Sequence, residues 1–280
     1  MPRSNMRKLQ AAAMANLENP LKAVEFTAQN TFDKSVRFIR SSAALLLEFD
    51  PHARSFTPDE PRLTPSGLLI EDESENLLLH SSNYAHPVWT RGSCRLEVDT
   101  GQKASEVMKL IIDPNQNDYL YQTVSVIPNR SYTFSFFARS SFDTSIFLAI
   151  RDEVNASFID KDVVYKPQSK GFTRVVHTFD TPKTCDSIRV YPTRFNSSSA
   201  ELYLQHLQLE VGRRPSSPIA TGGSSVVRAQ EAIKIVPPSG AIGCGLTVDG
   251  KILVKPIGRH KKEVVISRGI NGYLKSVVFV

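Results

Sequence analysis

At 280 residues, with 41% hydrophobic and 22% charged residues, the chain is long enough to bury one large β-domain with appendages or two modest domains, and its composition excludes global disorder. No apolar run approaches the roughly 20 residues that cross a bilayer, and the opening MPRSNMRKLQAAAMANLENP lacks the apolar centre of a secretory signal, so a soluble protein without membrane insertion is expected. The net charge of +6 is moderate, and three widely spaced cysteines, Cys94, Cys185 and Cys244, argue against both a disulfide framework and a C-x-x-C zinc site.

Met6, Leu9, Ala13 and Leu17 recur near helical spacing and Asn19-Pro20 stops the run, which predicts a short N-terminal helix. From Ala23 to Pro65 strand-forming residues (VRFIRSSAALLLEF) give way to the proline-rich DPHARSFTPDEPRLTPSG, which reads as an extended arm, because proline cannot donate to a ladder. GLLIEDESENLLLHSS places two apolar triplets around an acidic turn and reads as the first strand of the main domain. Between about Ser93 and Val211 period-two segments follow one another, separated by Asn, Asp, Pro, Ser and Gly clusters. SYTFSFFAR, for example, sets Tyr132, Phe134 and Phe136 on one face and Thr133, Ser135 and Phe137 on the other. Many short strands without helical periodicity predict a β-sandwich, and a jelly roll is the commonest closure. QLEVGRRPSSPIATGGSSVVRAQE ends a strand at Gly212 and reads as a seam. Beyond it Asp249-Gly250 and Asn271-Gly272 are hairpin signals in a small β-domain. The expected fold is therefore all-β: an N-terminal helix and extended arm over 1–75, a jelly-roll β-sandwich over 76–214, a linker over 215–225 and a small β-domain over 226–280.

From Val226 onward Arg228, Lys234, Lys251, Lys255, Arg259, Lys261, Lys262, Arg268 and Lys275 make the tail basic. Solvated charges on short strands are the simpler reading. Aromatic residues are not interleaved with these cations as in a strand-binding groove, so nucleic acid is not an expected partner.

Catalytic patterns are missing. There is no G-x-S-x-G elbow, no H-E-x-x-H, no P-loop and no G-x-G-x-x-G, and His177 and His206 read as ordinary sheet residues. Glu71, Asp72, Glu73 and Glu75 crowd one loop, which reads as a solvated turn rather than a carboxylate pair across a cleft. DPNQND (Asp113 to Asp118) begins like a calcium loop, but Asp118 and Val124 stand where that loop needs glycine and glutamate, so no cofactor is expected and a structural calcium ion is not indicated. Aromatic residues remain: Trp89, Tyr119, Tyr121, Tyr165 and Tyr203, with Tyr84, are candidates for stacking on sugar rings, core packing being the alternative for each.

The order VRFIRSSAALL, GLLIEDESENLLLHSSNY with Trp89, YLYQTVSVIPNRSYTFSFFAR and LQLEVGRRPSSPIATGGSSVVRAQE resembles a recurrent layout of tailed-bacteriophage structural proteins, over about Val36 to Glu231. The resemblance implies a jelly roll like that of carbohydrate-binding modules, carried on tail fibres, baseplates or capsid decorations, with no enzymatic activity. Only about fifty residues follow the closing segment, where the family has a longer lectin-like sandwich, and no heptad shaft is present. The expectation is a non-catalytic virion protein, a capsid decoration or tail or baseplate accessory component assembling through its arm and its C-terminal domain, as a homo-oligomer and with other virion proteins. The alternative is a tail adhesin recognising host surface glycan.

Overall fold

The computed structural model describes residues 20–27, 34–47, 54–98, 107–113, 118–141, 144–194, 199–257, 261–267 and 269–280. The helix expected at Met6 to Leu17 lies outside them. Alternating apolar and polar residues form strands throughout, and no helix occurs among the described residues. In chain order the strands begin with β1 (Lys22–Glu25), β2 (Val36–Ile39), β3 (Ala44–Leu46), β4 (Arg54–Phe56), β5 (Leu63–Thr64), β6 (Gly67–Ile70), β7 (Ser74–Asn76) and β8 (Thr90–Arg91). Then come β9 (Arg95–Val98), β10 (Met108–Ile112), β11 (Tyr119–Ser125), β12 (Ser131–Ser140), β13 (Ile146–Asp152), β14 (Ser157–Tyr165), β15 (Thr173–Asp180), β16 (Ser187–Arg194) and β17 (Ala200–Val211). The last are β18 (Val226–Arg228), β19 (Ala232–Ile235), β20 (Gly243–Val248), β21 (Lys251–Pro256), β22 (Val264–Ile266) and β23 (Gly272–Phe279). Two compact units result, one of Met1–Ala44, Ser55–Glu73 and Ala229–Val280, the other of Leu45–Arg54 and Ser74–Arg228.

In the unit of Leu45–Arg54 and Ser74–Arg228 two sheets run β15-β12-β17-β10-β9 and β14-β13-β16-β11-β8. Of the eight strands β10 to β17, the first pairs with the last, the second with the seventh, the third with the sixth and the fourth with the fifth, all antiparallel. This nested pairing is a jelly roll. Tyr132, Phe134 and Phe136 point into the core with Leu110, Leu120, Leu148, Ile150, Val190, Leu204 and Leu209, and each such side chain contributes about 1.5–3 kcal/mol of burial. The core face of β17 switches at a bulge: Ser135 pairs with Gln208 and Phe137 with Gln205, and His206 takes the left-handed backbone (φ 50°). His206 is therefore not an ordinary sheet residue.

The segment 215–225, expected as a linker, is fastened to this unit. Gln208 Oε1 accepts from Ile219 N at 2.7 Å, and Glu210 accepts from Ser74 Oγ at 2.6 Å and from Ser216 through both its amide and its hydroxyl. Asn76 Nδ2 donates to the carbonyls of Leu207 and Ile219, and Thr221 Oγ1 donates to Leu78 O. Gln208 and Glu210 thus act as clamps for the closing segment.

In the other unit one sheet runs β21-β20-β23-β6-β5, with β1 also on β23, and a second runs β2-β19-β22. Strands from the expected arm are thus internal partners of the C-terminal strands: β1 pairs with β23, β2 with β19 and β6 with β23. Gly67 is required where β6 meets β23, because its φ is 126° and a Cβ there would lie 2.6 Å from Leu274 O. Asp249-Gly250 forms the β20–β21 hairpin with positive φ at both residues. Asn271-Gly272 makes no hairpin: Asn271 instead exchanges hydrogen bonds with Asp72, accepting from its amide and donating to its carboxylate, both at 2.8 Å.

The acidic turn is not solvated throughout. Glu71 is buried, and its Oε2 lies 2.7 Å from Arg62 Nη2. Glu231 Oε1 accepts from Arg40 Nη1 and Arg62 Nε, both at 2.9 Å, and Oε2 accepts from Arg62 Nη2 at 2.6 Å and from Glu71 N at 3.0 Å. Arg40 also donates to Ser42 O and Thr57 O. Burial opposes the Arg62 charge, yet Glu231 and Glu71 outweigh it and hold the guanidinium above its ordinary pKa.

Candidate functional site

Strand alternation decides which side chains of β11, β13, β14 and β16 leave the sandwich. On β11, Leu120 and Val124 enter the core, so Tyr119, Tyr121 and Thr123 face outward. On β16, Ile188 and Val190 enter it, so Arg189 and Tyr191 face outward, and after a bulge Arg194 pairs with Tyr119. On β13, Ala149 and Arg151 face outward opposite Tyr191 and Arg189, and Phe158 of β14 stands opposite Arg151. Ala149 is fully buried although it points away from the core. A small residue there leaves room for the rings above β13.

These positions make one aromatic row. The ring centroids of Tyr119 and Tyr121 are 5.7 Å apart, those of Tyr121 and Tyr191 5.0 Å, and those of Tyr191 and Phe158 6.5 Å. Tyr191 is only 6% exposed and is the floor of the row. Tyr119, Tyr121 and Phe158 are part-exposed and carry its surface. Two guanidinium groups stack on it, Arg189 at 4.5 Å from the Tyr121 centroid and Arg194 at 4.4 Å from that of Phe158. Arg189 Nη2 lies 2.6 Å from Glu153 Oε2, Arg151 Nη1 is paired with Glu153 Oε1, and Arg194 Nη1 lies 3.2 Å from Asp162 Oδ1. Burial opposes the charge of Arg189, but Tyr191 and Glu153 outweigh it and raise its pKa, while burial pushes the Tyr191 hydroxyl up. The rings are tilted by 30–50° against their neighbours, so the surface is stepped rather than flat, and a row of part-exposed rings beside charge-paired arginines can meet the apolar face of a sugar ring and donate hydrogen bonds beside it.

Of the aromatic residues singled out from sequence, only Tyr119 and Tyr121 meet here. Trp89 belongs to the core: it is 3% exposed, its Nε1 donates to His80 O at 3.0 Å, and its ring meets buried Tyr84 edge-on at 5.4 Å. Tyr165 packs against Phe136 and donates from its hydroxyl to Pro192 O at 2.7 Å. Tyr203 lies on the opposite sheet beneath Arg139, whose guanidinium is 3.9 Å from its ring centroid. Tyr191 and Phe158 were missed, although the alternation of SIRVYP, with Arg189 and Tyr191 opposite Ile188 and Val190, contained the signal for the first.

Other chemistry is taken up structurally. Burial pushes the thiols of Cys94, Cys185 and Cys244 up to about 11, so they are protonated at neutral pH. His177 Nε2 lies 2.8 Å from Asp160 Oδ2. Among the described residues no three His, Cys, Asp or Glu side chains are placed to share a metal ion; residues 114–117 of the calcium-like loop lie outside them. A depression of about 380 Å³ lined by Thr144, Ser145, Lys166, Pro167 and Gln168 holds one cation and no aromatic ring.

The molecule is thus an all-β protein built on a jelly-roll sandwich. No family model matches the chain, and no curated protein matches it either. Among solved structures it is similar to the enzymatically active domain of tailspike protein 4 of bacteriophage CBA120, at 14% identity and TM-score 0.40, over 49% of this chain and 21% of that one. It is also similar to the second N-terminal cellulose-binding domain of a Cellulomonas fimi β-1,4-glucanase (15% identity, TM-score 0.37, over 50% of this chain and 95% of that one). A third likeness is to a xylan-binding domain from Paenibacillus barcinonensis (8% identity, TM-score 0.37, over 52% of this chain and 99% of that one).

Proposed function

We propose that this protein is a non-catalytic structural component of a bacteriophage virion, a capsid decoration or a tail or baseplate accessory, whose jelly roll binds host surface polysaccharide. The observation that carries the binding function is the row Tyr119, Tyr121, Tyr191 and Phe158 with its stacked arginines on one sheet face. Sugar rings present apolar C–H faces that stack on such a surface. The virion assignment rests on the order of sequence segments that resembles phage structural proteins. Assembly rests on the same resemblance; among the described residues β21 is an edge strand that leaves Ile252 and Leu253 44% and 41% exposed, apolar side chains a neighbour could cover, while Lys251, Lys255 and Pro256 oppose pairing along its backbone. The absence of catalysis rests on that resemblance too.

The test is a bacterial-glycan array probed with the full chain and with Tyr121→Ala, alongside co-sedimentation with phage particles stripped of the protein. Wild type is expected to bind particles and a small set of glycans, and Tyr121→Ala to weaken glycan binding about three- to tenfold while leaving particle binding unchanged. A folded protein that ignores every glycan refutes the binding function, and one that also ignores particles refutes the virion role.

A further inference from the structure

The charge around the aromatic row points to a ligand class. Glu153 is shared by two guanidinium groups, Arg151 on Oε1 and Arg189 on Oε2, so one carboxylate faces two cations. Asp162 is likewise shared, by Arg194 at 3.2 Å and Lys161 at 3.8 Å. Asp160, the other carboxylate of β14, is taken up by His177. Among the described residues the cluster therefore sets four permanent cations, Arg151, Arg189, Arg194 and Lys161, against the three carboxylates of Glu153, Asp162 and Asp160, with two guanidinium groups on Glu153 alone. The side chains of Arg151, Arg189 and Arg194 are 24%, 30% and 12% exposed, so solvent screens their charge less than that of a free surface lysine. Two of these cations lie directly on the rings, at Tyr121 and Phe158. A sugar stacked on the row would thus place its substituents beside Arg151 and Arg189, two guanidinium groups that share one carboxylate.

We infer, resting on the glycan-binding function above, that the ligand is an acidic polysaccharide, with carboxylate groups engaging Arg151 and Arg189, which share the single Glu153 carboxylate, while its rings stack on the aromatic row. Guanidinium groups suit this task because their planar fork matches a carboxylate with two parallel hydrogen bonds. Glu153 and Asp162 hold the arginines in place and limit the site to ligands that carry enough negative charge to compete for them.

The experiment is affinity electrophoresis of the full chain in gels containing polygalacturonate or the same polymer with its carboxyls methyl-esterified, which keeps the backbone and removes the charge. Wild type is expected to bind the anionic polymer about tenfold more tightly than the ester, and to lose about tenfold between 20 mM and 500 mM salt, the size of one partly screened charge contact. Arg151→Gln, which removes a cation that does not stack on the row, should weaken the anionic polymer severalfold more than it weakens the ester. Glu153→Gln should act the opposite way and tighten the anionic polymer, and thermal unfolding checks that both variants are folded. Equal retardation by the two polymers, lost in Tyr121→Ala, overturns the acidic specificity and leaves glycan binding standing. No retardation by either polymer overturns the acidic specificity, and the glycan array then decides whether the broader function stands.

Discussion

Replacing Glu231 by alanine removes a carboxylate that holds two buried arginines at once. Four hydrogen bonds end on its carboxylate, from Arg40 Nη1, from Arg62 Nε and Nη2 and from Glu71 N, and the side chains of Arg40, Arg62 and Glu231 are all 0% exposed. Without it Arg62 keeps the Glu71 carboxylate, while Arg40 loses the Glu231 ion pair and keeps the carbonyls of Ser42 and Thr57. Removing one partner of a buried ion pair costs about 3–5 kcal/mol, because the other charge stays buried and uncompensated. That is a large share of the roughly 5–15 kcal/mol that holds a domain folded. Hydrogen–deuterium exchange read by mass spectrometry on Val36–Ile39, Gly67–Ile70 and Gly272–Phe279 measures the loss within this unit, which contains no tryptophan to report on it by fluorescence. Glu231→Gln keeps the shape and part of the hydrogen bonding and should cost less than the alanine. If Glu231→Ala shifts the exchange free energy of these strands by less than about 1 kcal/mol, the cluster is not what secures the unit.

Burial and, secondarily, the Arg174 charge push His206 down to about 4 from 6.5. The folded state keeps the ring neutral, so the unfolded chain takes up a proton first: stability is full above about pH 6.5 and falls by up to about 3 kcal/mol as pH approaches 4. Urea unfolding followed by Trp89 fluorescence should show this slope in wild type and not in His206→Gln, and a parallel slope in both would refute the assignment. Glu210→Ala frees Ser74 and Ser216 from their shared acceptor and should cost about 1–3 kcal/mol. Limited proteolysis would then cut between Gly212 and Thr221, where wild type resists.

Period two carried much of the fold into view. The faces of SYTFSFFAR are those of β12, with Tyr132, Phe134 and Phe136 in the core, and Asp249-Gly250 turns where its chemistry demands. Pairing partners were not legible, because alternation marks a strand and says nothing of its neighbour. VRFIR reads as strand, but its partner AIKI lies nearly two hundred residues away, and a loop that long costs little more to close than a short one. Charge misled for a related reason: Arg40, Arg62, Glu71, Arg228 and Glu231 look like surface residues until their burial is known. Trp89 misled because it sits in the turn-rich stretch between Leu77 and Gly92, where no periodicity assigns a face. Half of the aromatic row was visible, since Tyr119 and Tyr121 stand two apart in one strand, whereas Tyr191 and Phe158 join them only through sheet pairing.

The residues behind the family-like segments and those behind the aromatic row do different work. Arg40 in VRFIRSS, Glu71 in GLLIE, Asn76 in SENLLL, Gln208 and Glu210 in QLEVG and Glu231 in VVRAQE all spend their polar atoms on buried contacts. A buried polar group left without its partner costs about 1–3 kcal/mol, so such positions tolerate few residue types and make a recognisable text. The outward positions of β11, β14 and β16 carry no such demand: β-strand geometry needs only that their side chains leave the core. Asn76, Gln208 and Glu210 fasten the closing segment of the sandwich, whereas Arg40, Glu71 and Glu231 tie together segments of the other unit. The proposed glycan surface of Tyr119, Tyr121, Phe158, Arg189 and Arg194 takes no part in the hydrogen bonds just named, so substitutions there test binding separately from the closing contacts.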